Sequence, residues 1–204
     1  MKFDFFAFLP GFLHAFLQNL WMGLLAVLIG LIVGMPLARV VHRKLSLYKV
    51  VNLLLTLLRA LPVFIVMYIA LGVLTMNVII DENNLFSAPV IALLVGLCFS
   101  SISGVFDATL DYFRLLDAGK RREALLIVPN IFRLFVNVAS TTAVGAALGV
   151  REAVSYSLLT AERLPNTGDR LFIVFFVTLF FVSFVLLSRW AMIYIVKTRL
   201  RLAK

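Results

Sequence analysis

The chain has 204 residues, of which 63% are hydrophobic and 14% charged, and its mean hydropathy is +1.07. Soluble domains average about half apolar and about a quarter charged residues, so this composition excludes an ordinary soluble fold. Long uncharged runs suit a lipid environment. The formal net charge of +9 comes from basic clusters between apolar runs. Such clusters indicate the cytoplasmic edge of a membrane protein, and we expect no nucleic-acid partner.

The first apolar stretch, residues 5–38, contains no Asp, Glu, Lys or Arg. It is longer than the roughly 20 residues that one upright span requires. The Pro10-Gly11 pair predicts a break in this stretch. We expect an aromatic-rich N-terminal segment, 1–15, to be separate from a first span near 16–41. Aromatic side chains favour the membrane interface, so we expect segment 1–15 to lie on the surface. The alternative is an extension of the first span.

A basic linker then leads into a second apolar run, which is divided by Arg59 and Pro62. We predict an amphipathic surface helix over 45–60 and the second span over 61–79. After a short acidic turn at 81–84, the uncharged stretch 83–106 predicts a third span, which extends at most to Phe113.

Segment 114–130 is polar and basic, and it predicts a cytoplasmic loop. Residues 131–150 and 171–196 predict the fourth and fifth spans, and a basic tail, 197–204, follows. If basic loops are cytoplasmic, the N-terminus lies outside and the C-terminus inside. The sequence therefore predicts an all-α integral membrane protein, with about five transmembrane helices in a single domain spanning residues 1–204.

The sequence offers little for catalysis. His14 and His42 are the only histidines, and neither belongs to a cluster with metal-ligand spacing. There is also no glycine-rich phosphate loop or nucleophile elbow. We predict a non-catalytic chain that binds no cofactor itself, with a membrane enzyme as a minor alternative.

Polar residues within the spans mark a possible solute pathway. The fourth span is rich in small residues, which allow close helix packing and are also compatible with a path-lining helix. Asp107 and Asp111 share one helix face, since they are four residues apart. They could line a path, or they could reach the interface and pair with Lys120 or Arg121. The predicted pathway residues are Arg59, Pro62, Ser100, Ser103, Asp107, Ser140, Thr141 and Thr142.

The order of several short motifs resembles the membrane subunits of bacterial type I ABC importers, particularly those for polar amino acids of the histidine/glutamine type. Residues 17–39 resemble the first helix of that family and its basic exit. Residues 58–62, Leu-Arg-Ala-Leu-Pro, are similar to an Arg-Gly-Thr-Pro element at the start of the second helix. Residues 87–93 resemble the start of the third helix, and residues 148–152 resemble an Ile-Gly-Val-Pro-Glu motif.

The family has a cytoplasmic loop that docks into the ATPase subunit, and residues 117–129 occupy the corresponding place. Glu123-Ala124 is similar to its Glu-Ala-Ala opening, Ala118-Gly119 to its glycine region and residues 127–129 to its Ile-x-Leu-Pro close, in a shorter loop. The resemblance implies a coupling role for Asp117, Gly119, Arg121, Arg122, Glu123, Ala124 and Pro129.

This resemblance implies a type I ABC importer permease fold and a multi-pass protein of the bacterial cytoplasmic (inner) membrane, in contact with lipid. The chain would form half of a translocation pathway, with ATP and Mg²⁺ bound by partner ATPase subunits. An extracytoplasmic solute-binding protein and a second permease subunit would complete the complex. The short loop, and the replacement of a Lys-Asp-Thr-Ser motif by residues 140–143, favour a heterodimer over a homodimer. Alternatives are a permease for methionine or phosphonate, a non-ABC scaffold or assembly subunit, and a stand-alone channel.

Overall fold

The computed structural model describes residues 3–77 and 87–201, and these residues form only helices and their connections. The predicted acidic turn at 81–84 lies outside the described residues. The elements are, in chain order, α1 (Phe5–His42), α2 (Tyr48–Ala60), α3 (Val63–Asn77), α4 (Ala88–Asp117), α5 (Arg121–Ala124), α6 (Ile127–Thr141), a 3-10 helix (Thr142–Leu148), α7 (Ala153–Glu162) and α8 (Thr167–Arg201).

Helix α1 is continuous, so the predicted break at Pro10-Gly11 is wrong. A proline removes one backbone hydrogen bond, but Phe8 and Phe12 on either side of it are buried against aromatic rings of α8. This packing holds both parts in one helix. At 1.5 Å per residue the helix is about 57 Å long, well beyond the roughly 30 Å hydrocarbon core. The surface location of segment 1–15 stays a prediction.

The helix expected over 45–60 is present as α2, which begins at Tyr48 and buries Val51 and Leu55 on one face. Its location at the membrane surface stays a prediction. The chain then bends by 92° into α3. Pro62 lies at this bend, where it offers no backbone N–H and disfavours a helical conformation for Leu61.

Helix α4 lies at the centre of the bundle. Of the 18 most apolar consecutive residues of α4, 50% are buried, compared with 11% of the corresponding stretch of α8. It packs along α1 and also contacts α3 and α6. It continues to Asp117, four residues beyond the predicted limit of the third span.

Four apolar segments of the described residues are long enough to cross a membrane: 5–42, 88–117, 121–148 and 167–198. The bent pair α2–α3 makes up to five. This confirms the predicted all-helical class and the span number of about five. The fourth span begins with α5 and α6 and ends in the 3-10 helix rather than in regular α-helix.

Candidate solute path and coupling surface

The end of α2 carries a polar cluster that joins it to α4. The Arg59 guanidinium forms an ion pair with Asp107, and its Nε donates to Ser103 Oγ at 3.0 Å. The same group lies 5.6 Å from the centre of the Phe106 ring. We call these four residues the Arg59 cluster. Three of the predicted pathway residues therefore meet at one place: Arg59 from α2, and Ser103 and Asp107 from successive turns of one α4 face.

The expected partners of the two aspartates are wrong. Asp107 pairs with Arg59, which is 48 positions away, rather than with Lys120 or Arg121. Asp111 pairs with Arg114 one turn along its own helix, at 3.4 Å. Lys120 pairs with Glu123 at 3.5 Å. Lys120 therefore has a local partner within the loop.

A second polar cluster, the Asn19 network, is buried between α1, the 3-10 helix and α7. Asn19 Nδ2 donates to Thr142 Oγ1 at 2.7 Å and to Glu152 Oε2 at 2.9 Å. The backbone N–H of Ala153 donates to Asn19 Oδ1 at 3.1 Å. Both donors and the acceptor of the amide are therefore used, and Asn19, Thr142 and Glu152 are each fully buried. A satisfied network of this kind fixes one arrangement of the helices.

Glu152 also caps α7. Its carboxylate accepts hydrogen bonds from the N–H groups of Val154 at 2.9 Å and Ser155 at 2.8 Å. It lies between the fourth and fifth apolar segments, outside both. Burial raises the pKa of the Glu152 carboxyl, and the bonds from Asn19, Val154 and Ser155 offset part of that rise. The sequence prediction did not include Asn19 or Glu152. Two features of the sequence could have identified them: the amide side chain of Asn19 lies within an uncharged span, and the carboxyl group of Glu152 comes directly after the predicted fourth span.

The three hydroxyl residues of the fourth span do not form one row. Ser140 Oγ donates to Val136 O at 2.9 Å and Thr141 Oγ1 to Asn137 O at 2.8 Å, each bond lying within α6. Such bonds within a helix satisfy the hydroxyl donors. Thr142 is buried in the Asn19 network and contributes no surface to an open path in this conformation. Pro62 is exposed at the bend and Ser100 is half-buried; their pathway role, like that of Ser140 and Thr141, stays a prediction.

The predicted coupling segment, 114–130, begins with a sharp helix end. Gly119 has a φ of +74°, its N–H donates to Leu116 O, and the N–H of Lys120 donates to Leu115 O. This is the Schellman pattern, in which a left-handed glycine closes a helix. Asp117 Oδ2 also lies 3.3 Å from His42 Nε2, which ties the end of α4 to the end of α1.

Helix α5 follows at once and is a single turn of four residues. Ala124 is 1% exposed, whereas Arg121, Arg122 and Glu123 are exposed beside it. Leu125 is 63% exposed. Pro129 lies in the first turn of α6 and is half-buried. The segment thus presents charged and apolar side chains on its surface and buries one side chain, that of Ala124, against the rest of the chain.

Neither cluster has the composition of a metal centre. No group of three His, Cys, Asp or Glu side chains comes together within residues 3–77 and 87–201. The chemistry available in the Arg59 cluster is ion pairing and hydrogen bonding, which suits recognition of a polar group.

Two solved structures resemble the chain over almost its whole length. The first is described as the crystal structure of an amino acid ABC transporter with histidines; it has a TM-score of 0.67 and 16% identity, covering 94% of this chain and 99% of that one. The second shows inward-facing conformations of the MetNI methionine ABC transporter, with a TM-score of 0.63 and 16% identity, covering 91% and 94%. No family model and no curated protein sequence matches the chain. The chain therefore has the all-helical fold of ABC transporter permeases.

Proposed function

We propose that the chain is the transmembrane subunit of an ATP-driven ABC importer and forms half of its solute pathway. The observation that carries this proposal is the fold, which matches an amino acid ABC transporter chain over 94% of this sequence. A fold can host several functions. The coupling segment supplies the second support, since it projects basic and apolar side chains from the ends of two spans.

The remaining parts of the complex follow from this role. ATPase subunits would bind ATP and Mg²⁺, and this chain would hydrolyse nothing. A second permease subunit, preferably a different chain, would complete the pathway, and an extracytoplasmic solute-binding protein would deliver the solute. The leading solute is a polar amino acid, with methionine or phosphonate as alternatives. The chain would lie in a bacterial inner membrane with its N-terminus outside.

The coupling segment is suited to transmit a push. Residues 121–124 connect α4 and α6 with almost no intervening loop. The Schellman turn at Gly119 fixes α5 to the end of α4, and the buried side chain of Ala124 fixes α5 to the bundle. A displacement of α5 should therefore move both α4 and α6. Tilting of packed helices is a common response to such a push.

The shortness of α5 favours a second candidate, a scaffold or assembly subunit that contacts no ATPase. One helical turn presents few side chains to a partner. The two functions differ in whether an ATPase accompanies the chain.

Co-purification separates them. The tagged chain is solubilised from its native membrane and its partners are identified by mass spectrometry. We expect an ABC ATPase at stoichiometric abundance. Its reproducible absence from mild-detergent extracts would reject the importer proposal and support the scaffold.

Site-directed crosslinking then locates the contact. In a Cys98→Ala background, Leu125→Cys should crosslink to the ATPase through a short bifunctional reagent. Leu47→Cys is the matched control, because Leu47, in the linker before α2, is exposed to a similar degree, 62% against 63%. Equal crosslinking at both positions would show that the coupling segment is not the docking surface.

A further inference from the structure

A groove runs along α8, bordered over its first part by the end of α6, the 3-10 helix and α7, and over its second part by α6. Its first part has a volume of about 550 Å³ and lies beside residues 173–186 of α8. Its second part has a volume of about 680 Å³ and lies beside residues 185–197. Val185 lines both parts, so they form one furrow, which we call the α6–α8 groove.

The first part of the groove is apolar. Its walls include Ile173, Val177, Phe181 and Leu186. The hydroxyl of Thr178 lines it too, but donates to Val174 O at 2.9 Å within its own helix. At 1.5 Å per residue, residues 173–186 extend over about 20 Å. This exceeds the roughly 15 Å of one leaflet's hydrocarbon, which is half of the 30 Å core.

The second part of the groove is basic. Arg133, Arg189 and Lys197 line it together with amide side chains of α6, and no carboxylate is among its lining residues. None of the three cations forms an ion pair with any residue in 3–77 or 87–201. On α8 the basic groups begin about one turn beyond the apolar part, at Arg189, and on α6 Arg133 lies about two turns from Ser140.

We propose that the α6–α8 groove binds one anionic phospholipid, with an acyl chain in the apolar part and the headgroup phosphate among Arg133, Arg189 and Lys197. The groove offers an apolar part followed by a basic part, which is the order of the acyl chain and the headgroup in such a molecule. Basic pockets between transmembrane helices are suited to anionic headgroups. A packed protein helix would instead leave the three cations unpaired unless it supplied carboxylates at the same level.

Native mass spectrometry of the full-length chain in detergent tests the headgroup site, with phosphatidylglycerol and phosphatidylcholine of equal chain length as probes. The wild-type chain should retain phosphatidylglycerol preferentially. Arg133→Gln/Arg189→Gln should weaken that binding about 25-fold, since each basic residue near an anionic lipid contributes about fivefold. Arg43→Gln/Lys49→Gln is the charge-matched control, because both side chains are exposed and lie outside the groove; it should retain wild-type binding. Equal loss in both double variants would reject a specific site.

Two further measurements use the wild-type chain and do not require the headgroup variants to fold. Photoreactive phosphatidylglycerol, with the reactive group on its acyl chain, should label residues 173–186 of the wild-type chain. Labelling that avoids this stretch overturns the proposal. Inorganic phosphate at millimolar concentration should not displace the lipid. Full displacement would mean that the site recognises phosphate alone. All these readouts use the chain by itself and do not depend on the transport proposal.

Discussion

The close contact between α1 and α4 provides a clean test of the packing, through the substitution Gly30→Ala. A Cβ atom at Gly30 would lie 2.9 Å from both the carbonyl carbon and the carbonyl oxygen of Ser101, and 3.0 Å from Ser101 Cβ. Two of these three atoms are backbone, so no side-chain rotation relieves the contact. The two helices must separate by several tenths of an ångström.

The size of the effect follows from two opposing contributions. Alanine is favoured over glycine in a helix by about 1 kcal/mol. Overpacking of a well-packed interior costs about 1–3 kcal/mol. Gly72→Ala in α3 isolates the first contribution, because nothing lies within 4 Å of its Cβ position. The propensity gain cancels between the two variants, so Gly30→Ala should be less stable than Gly72→Ala by about 1–3 kcal/mol.

Thermal and denaturant unfolding of both variants, in the same detergent and at the same protein concentration, measure this difference. Ser101→Ala should not rescue Gly30→Ala, since the close backbone atoms remain. If Gly30→Ala is as stable as Gly72→Ala, or if Ser101→Ala restores it fully, α1 and α4 do not approach as closely as the structure shows.

Three further predictions concern the polar clusters and the coupling segment. Glu152→Gln should lower the free energy of unfolding by about 1–3 kcal/mol, because both carboxylate oxygens accept N–H bonds and an amide nitrogen would face a donor. Burial raises the pKa of Glu152 above its ordinary value of 4.5, so the stability of the folded chain decreases as pH rises and increases as pH falls. The melting temperature of wild type relative to Glu152→Gln should therefore increase as pH is lowered from neutrality toward 4.5, and a difference that does not change with pH would contradict this. A double-mutant cycle on Arg59→Gln and Asp107→Asn should give a coupling energy below about 1 kcal/mol, because both side chains are partly exposed. Of the two single variants, Arg59→Gln should lower the free energy of unfolding more, because it also loses the hydrogen bond to Ser103. Ala124→Arg should abolish co-purification of an ATPase while leaving the chain in the membrane, and retention of the partner would show that α5 is not needed for docking.

The break between the third and fourth spans was predictable because its signals are local, while the coupling role of its residues stays a prediction. The basic residues of segment 114–130 predicted a cytoplasmic loop between two spans, and the structure has a break between α4 and α6 there. The Arg59 cluster and the Asn19 network, which join distant helices, were only partly predictable from the sequence. Arg59 and Asp107 could be recognised as unusual charges beside or within apolar runs, but their pairing depends on how α2 folds back along α4. Nothing in the order of residues distinguishes Arg59 from Lys120 as the partner of Asp107.

The sequence by itself determined the membrane class, the number of spans and the bend before the second span. These depend on the length of apolar runs and on the backbone restrictions of Pro62, which act over a few residues. Only the tertiary structure decided that α1 continues through Pro10, because the rings that hold it belong to α8. It also decided the Asn19 network, whose Asn19 and Glu152 are 133 positions apart. Residues that are distant in the chain meet when helices pack, and packing depends on the shapes and buried polar groups of whole helix faces rather than on any local pattern.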